Sequence, residues 1–233
     1  MPGTYNKENT MSNELLPYVE VNPSKTADAV VIWLHGLGDS GNGFAPIVPQ
    51  LGLPENMAVR FVFPHAPIIP VTINNGMEMR AWYDIKTLSF EDRADMEGVQ
   101  RSAAQVEQLL QREIANGIPP ERIVLAGFSQ GGVISYYVAL RQTEKLAGVL
   151  TLSTYMCDAD QTRQDWQDSN KDTPFFASHG AYDEMVPIAL GKSAYMNLKE
   201  AGFNARWEQY PMQHNVHMQQ LQEIASWLQD VLG

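Results

Sequence analysis

Apolar and polar positions alternate along this chain in blocks whose internal spacing predicts the elements. Residues 29–34 (Ala-Val-Val-Ile-Trp-Leu) are an unbroken apolar run of strand length, the pattern of a strand covered on both faces. Runs of this kind recur at residues 59–64, 123–126, 147–153 and 174–178, and residues 206–210 read as a final strand. Between them the spacing changes to that of a helix. Over residues 96–116, Val99, Ala103, Val106, Leu109, Leu110 and Ile114 follow helical spacing, and Asn116-Gly117 with Pro119-Pro120 stops the run. Further helices are predicted at 44–50, 132–140, 188–201 and 216–232. Pro187 opens the third of these and Gly202 ends it. The last is amphipathic, with Leu221, Ile224, Trp227, Leu228 and Val231 as its apolar positions.

Strands alternating with helices predict an α/β protein, a mostly parallel central sheet with helices on both faces. No linker, repeat or low-complexity stretch divides the chain, so residues 17–233 are expected to form a single domain. Residues 1–16 are polar and read as a flexible leader, with Met11 as an alternative start. Residues 68–96 break the alternation, mixing a proline, a glycine and charges with Trp82, Tyr83 and Phe90. Long irregular segments inside compact domains are usually functional or disordered. Its aromatics favour an inserted loop that packs down as a substrate-facing lid or wall, over a surface excursion anchored by one tryptophan. A polar segment at 158–172 reads as loop or weak helix.

Composition narrows the partners more than the chemistry. With 44% hydrophobic residues among 233, the chain can bury a substantial core. A formal net charge of −11 argues against nucleic acid and strongly anionic membrane surfaces as partners. The single cysteine, Cys157, excludes an internal disulfide and fits a reducing compartment; it reads as a filler thiol rather than a nucleophile. No stretch approaches the roughly twenty apolar residues of a membrane span, and the leader lacks the basic-then-apolar order of a secretory signal. A cytoplasmic location without stable membrane insertion is expected. An apolar rim on residues 68–96 favours self-association as a homodimer or transient contact with lipid.

Chemistry enters at Gly127-Phe128-Ser129-Gln130-Gly131, set between an apolar run and a predicted helix. Strand, Gly-x-Ser-x-Gly, helix is the context of a nucleophile elbow. The serine sits on a sharp turn that only small flanking residues tolerate, beside a helix N-terminus that favours a developing oxyanion. In open α/β sheets, sites form beyond the carboxyl ends of the strands. His35-Gly36, Ser129, Asp183 and His214 all fall there, and Ser, Asp, His is the chain order of α/β-hydrolases. A serine hydroxyl needs a base beside it, and the base needs an acid to fix its tautomer. Asp183, after an apolar strand and a glycine turn, is preferred to Asp158, Asp160, Asp165, Asp168 and Asp172, which crowd a polar segment. His214, in the loop after the last strand, is preferred to His217, placed in the first helical turn. His179 is assigned to support of the acid loop, and His65 to a structural or pocket-lining place. Reading His214 and His217 as metal ligands fails for want of a third ligand nearby. The expected oxyanion donors are the backbone N–H groups of Gln130 and, in the glycine-rich loop after the first predicted strand, Leu37.

These residues resemble the small carboxylesterases and acyl-protein thioesterases of the phospholipase/carboxylesterase family. The matching blocks are Leu34-His35-Gly36-Leu37-Gly38-Asp39, Phe63-Pro64-His65-Ala66-Pro67, Ala81-Trp82-Tyr83-Asp84, Gly127 to Gly132, His179-Gly180 with Asp183 and Val186-Pro187, and Tyr210-Pro211-Met212 with His214. They run in family order over nearly the whole chain after the leader. The resemblance implies an α/β-hydrolase fold, with Ser129 as nucleophile, His214 as base, Asp183 as its partner and Leu37 and Gln130 as oxyanion donors. It also implies that Trp82 and Val186 border the acyl pocket, and that neither a metal nor another cofactor is needed. Its substrates would be small or lipid-like esters or thioesters of short to medium acyl chains, including acylated proteins, cleaved through an acyl-enzyme. One departure stands out: Gln213 occupies the position before His214 where the family usually has glycine. The rival expectations are a lactone or dienelactone hydrolase, and a non-catalytic binding protein on a hydrolase scaffold.

Overall fold

The chain's structure, a computed structural model, describes residues 15–90, 93–157 and 163–233. In chain order its strands are β1 (Tyr18–Val21), β2 (Ala29–Leu34), β3 (Val59–Pro64), β4 (Ile68–Val71), β5 (Met77–Arg80), β6 (Ile123–Phe128), β7 (Gly148–Leu152), β8 (Phe175–Gly180) and β9 (Ala205–Tyr210). Its helices are α1 (Gly41–Phe44), α2 (Ile47–Leu51), α3 (Met96–Ala115), α4 (Gln130–Ala139), α5 (Ile188–Glu200) and α6 (Met218–Leu232).

Seven strands form one sheet in the order β1-β3-β2-β6-β7-β8-β9. Only the edge pair β1–β3 is antiparallel; the rest are parallel. The apolar run of β2 explains itself here, because all six of its residues are buried. Val30, Ile32 and Leu34 face a core shared with Val106 and Leu110 of α3 and Val133 of α4. Ala29, Val31 and Trp33 face the opposite core, with Leu51 of α2 and Ile224 and Leu228 of α6. A strand with water on neither side has no use for polar alternation.

Several expectations are revised. The helix expected at 44–50 is two short ones: Ser40 accepts the Gly43 N–H and starts α1 early, and Pro46 stands at the cap of α2. β1 was not predicted; each of its residues is half-buried, which erases the two-residue period. Residues 68–96 are not one irregular loop. β4 and β5 pair as a hairpin, turned through Asn75 and Gly76 at φ 56° and 73°. Behind the hairpin, Asp84 accepts hydrogen bonds from the Thr72 N–H (2.7 Å) and hydroxyl (2.5 Å), and Trp82, Tyr83 and Ile85 are buried in the core. Of the expected leader, residues 1–14 lie outside the described residues, whereas Leu16 is part of the core. In the polar segment, Arg163–Asp165 and Asp168–Asn170 form short 3-10 turns, and residues 158–162 lie outside the described residues.

Candidate active site

The order of the sheet reverses at β2: the chain goes from there to β3 on one side, and later to β6 on the other. Such a switch point opens a crevice at the carboxyl ends of the two strands. The loop His35-Gly36-Leu37 leaves β2 there, and Ser129 follows β6.

Ser129 has φ 54° and ψ −120°, outside the helical and extended regions, and is the N-cap of α4. A non-glycine residue at this φ persists only where the surroundings over-determine it. Two glycines do so. A Cβ at Gly127 would lie 2.3 Å from the Gly131 oxygen, and one at Gly131 would lie 2.4 Å from the Leu34 oxygen. α4 therefore rests backbone to backbone on β2. Hydrogen bonds fix the turn further: the Ser129 N–H donates to the Leu152 oxygen (2.9 Å) and its carbonyl accepts from the Thr154 hydroxyl (2.6 Å).

Asp183 and His214 close on this serine. The Ser129 Oγ lies 2.9 Å from Nε2 of His214, and Nδ1 of His214 lies 2.6 Å from Oδ2 of Asp183. Oδ1 of Asp183 accepts the backbone N–H groups of Met185 (2.9 Å) and Val186 (2.8 Å). Nε2 of His179 lies 2.8 Å from the Val186 oxygen and 3.4 Å from Oδ2 of Asp183. Against a carbonyl and a carboxylate that nitrogen must bear the proton. Burial pushes the Asp183 carboxyl up, but hydrogen bonds from His179, His214 and the Val186 N–H outweigh it. The acid is held well below the usual carboxylate range. Asp183 is therefore an anion at neutral pH and accepts from Nδ1–H of His214. That leaves Nε2 with a lone pair facing the serine hydroxyl, an arrangement able to take the proton as the oxygen attacks.

A cavity of about 290 Å³ opens beside Ser129. Leu37, Tyr83, Ile85, Gln130, Val186 and His214 are among its walls. His35 shapes the loop on one side. Its Nε2 accepts the Ala66 N–H (3.0 Å), so Nδ1 bears the proton and donates to the Gly36 oxygen (2.7 Å); burial lowers its pKa and keeps the ring neutral. The Gly36 carbonyl also accepts the Asp39 N–H (3.2 Å). Because the peptide is trans and planar, the Leu37 N–H points the opposite way from that carbonyl. On the other side, the Gln130 side chain accepts the Trp82 N–H (2.8 Å) and donates to the Tyr83 oxygen (2.7 Å).

Of the residues expected at the site, Trp82 is placed differently: its indole is buried under the loop, donating to the His35 oxygen (2.8 Å), and does not line the cavity. Its neighbour Tyr83 does. Val186 lines the cavity and holds Asp183 through its N–H. The competing acids stand elsewhere. Asp165 and Asp168 are surface partners of Arg141 and Lys171, Asp172 is exposed, and Asp158 and Asp160 lie outside the described residues. His217 is the N-cap of α6, its Nδ1 accepting the Gln219 N–H (3.2 Å). His65 accepts the Gly41 N–H (3.1 Å). Gln213 is exposed and is not among the described residues at positive φ, so glycine is not required there. Thr154, Tyr155 and Arg93 were not anticipated; their sequence surroundings have no periodic or motif signal.

A switch-point crevice with a strained serine, an imidazole and a buried carboxylate in this chain order defines an α/β-hydrolase. Comparison with known proteins gives the family. The model of the phospholipase/carboxylesterase family matches residues 17–232, and the chain belongs to that family. It is 40% identical to acyl-protein thioesterase 1 of Gibberella zeae over 215 residues, 88% of this chain and 91% of that one. Among solved structures, Arabidopsis thaliana SOBER1 superposes with a TM-score of 0.83 at 33% identity, covering 88% of this chain and 99% of that one. Zea mays acyl-protein thioesterase 2 gives 0.83 at 28% identity, over 94% and 100%.

Proposed function

We propose that this protein is a serine hydrolase that cleaves carboxylic esters and thioesters through an acyl-enzyme. Ser129 is the nucleophile, His214 the base, Asp183 its orienting anion, and the N–H groups of Leu37 and Gln130 the oxyanion donors. The observation that carries this reading is the unbroken relay from Asp183 through His214 to Ser129, at 2.6 and 2.9 Å. Nε2 of His214 takes the serine proton as Oγ attacks the carbonyl carbon. The oxyanion collapses, the proton passes to the departing alcohol or thiol, and the acyl group stays on Ser129. Water, deprotonated by the same nitrogen, then releases the acid and restores the serine. Every proton and electron pair is handled by the chain and by water, so the reading calls for no cofactor. The cavity of about 290 Å³ sits at the lower end of small-ligand pockets, which supports short to medium acyl groups. The names of the thioesterase relatives support acylated proteins among the substrates, and the lone Cys157 fits a cytoplasmic setting.

A fluorophosphonate probe should label the intact protein once, with the adduct mapped by mass spectrometry to Ser129, and p-nitrophenyl esters should be turned over. Absence of labelling together with no turnover at any chain length would sink the reading. Trp82 yields a separate expectation. Because it supports the His35 loop and Gln130 rather than the cavity wall, Trp82→Ala should lower kcat/KM alike across ester chain lengths. It should also cost about 3–5 kcal/mol of stability in urea titration. A loss confined to long chains would return Trp82 to the acyl wall.

A further inference from the structure

One cation in the cavity has no place in the chemistry above. Arg93 lines the same cavity as Ser129, and its Nε is buried without a hydrogen-bond partner. Arg60, Arg112, Arg122, Arg141, Arg163 and Arg206 each meet a carboxylate; among the described residues none is paired with Arg93. An unsatisfied buried polar atom is costly, and more so on a charged group. The arginine is nevertheless held in place. Its carbonyl accepts the Lys86 N–H (3.0 Å), and the next residue bridges Ile85. The guanidinium lies 4.4 Å over the Phe90 ring, which meets Tyr155 edge-on at 5.4 Å.

Tyr155 and Tyr83, both in the cavity wall, complete the cluster with their oxygens 3.0 Å apart. One proton serves the contact between them, which leaves the second phenol hydrogen to donate elsewhere. Burial raises both phenols, Tyr83 well above its ordinary value, so both remain donors at neutral pH. The cavity's other charged and titratable side chains are Asp39, engaged at Oδ1 by the Ser40 N–H, and His214. A cation with no carboxylate described against it and an uncommitted phenol hydrogen make a receptor for a planar anion, although Asp39 lines the same cavity. The molecule as a whole, at net −11, repels such an anion, so its recognition requires a local cation.

We propose that Arg93, with the Tyr83–Tyr155 pair, binds a carboxylate borne by the substrate. The preferred substrates are then esters or thioesters with a free carboxylate near the scissile bond. The carboxylate sits either at the far end of a short dicarboxylic acyl group or on the leaving group. This inference rests on the assignment of Ser129 as the acylated residue.

The test compares kcat/KM within matched pairs. On the acyl side, succinyl and butyryl thioesters of N-acetylcysteamine are paired; on the leaving-group side, butyryl thioesters of mercaptopropionate and of its amide. Wild type should prefer the anionic member in one pair, and that pair names the side. Arg93→Gln should lower the anionic-to-neutral ratio there by about tenfold or more, and Arg93→Lys should restore part of it. Preference for the neutral member in both pairs, which needs no variant, overturns the proposal, as does an unchanged ratio in Arg93→Gln. Labelling of each preparation by a neutral fluorophosphonate separates the two failures. If wild type itself is unlabelled and inert on all four thioesters, the hydrolase reading has failed instead.

Discussion

His214→Ala should lower kcat by about 10⁶-fold, whereas His217→Ala should leave kcat unchanged and cost about 1 kcal/mol of stability through the lost helix cap. The two histidines are three residues apart and both precede α6. Only one of them touches the serine, at 2.9 Å; the other accepts a backbone N–H of the helix it starts. Without an imidazole at 214, the Ser129 hydroxyl keeps its proton and is a poor nucleophile at neutral pH. Groups that act as one unit are not additive, so Ser129→Ala combined with His214→Ala should be no slower than either alone. Steady-state rates on one activated ester, with circular dichroism as the folding control, decide the matter. An inert His217→Ala beside an active His214→Ala would reverse the assignment.

The second large effect belongs to the acid. Asp183→Asn should lower kcat by about 10⁴-fold with little change in shape. An amide at this position can still accept from the Met185 and Val186 N–H groups, but its nitrogen donates toward Nδ1 of His214. The imidazole then bears its proton on Nε2 and cannot accept from Ser129. Stability should respond to pH as well. The folded acid is held below its ordinary value, so its contribution is present above the unfolded pKa of about 3.9. It is lost as pH falls through and below that point toward the folded value. Urea midpoints taken from neutral pH to about pH 3 should therefore fall less in Asp183→Asn than in wild type. A steeper acid limb in the variant would contradict the role given to these hydrogen bonds.

The legible and illegible parts of this chain differ for physical reasons. β2, β6, β7 and β8 are covered on both faces, so their apolar runs are continuous and need no partner to be recognised. β1, β4 and β5 are half-exposed, and Ile68 and Met77 stand 60% and 65% exposed on the hairpin, so hydrophobicity there reports no burial. The serine was readable because its strained turn forces glycine at two nearby positions. Asp183 and His214 were readable from topology, since strand ends converge. Trp82 was located in the right neighbourhood with the wrong neighbours, because sequence does not tell a wall of a cavity from its foundation. Arg93 was silent: what distinguishes it is a place in the cavity wall with a buried Nε that no described group meets, and such places are made by folding.

The Gln130 side chain ties together two tasks that could have been separate. It bridges Trp82, which props the loop of Leu37, and Tyr83, which lines the cavity beside Ser129. Its own N–H is the other oxyanion donor in the proposed mechanism. A ligand that seats poorly against Tyr83 therefore strains the same residue that stabilises the transition state. Discrimination between acyl groups should register as turnover rather than as tightness of binding, so that inhibitors shaped to the cavity would be poor guides to which substrates the enzyme cleaves fastest.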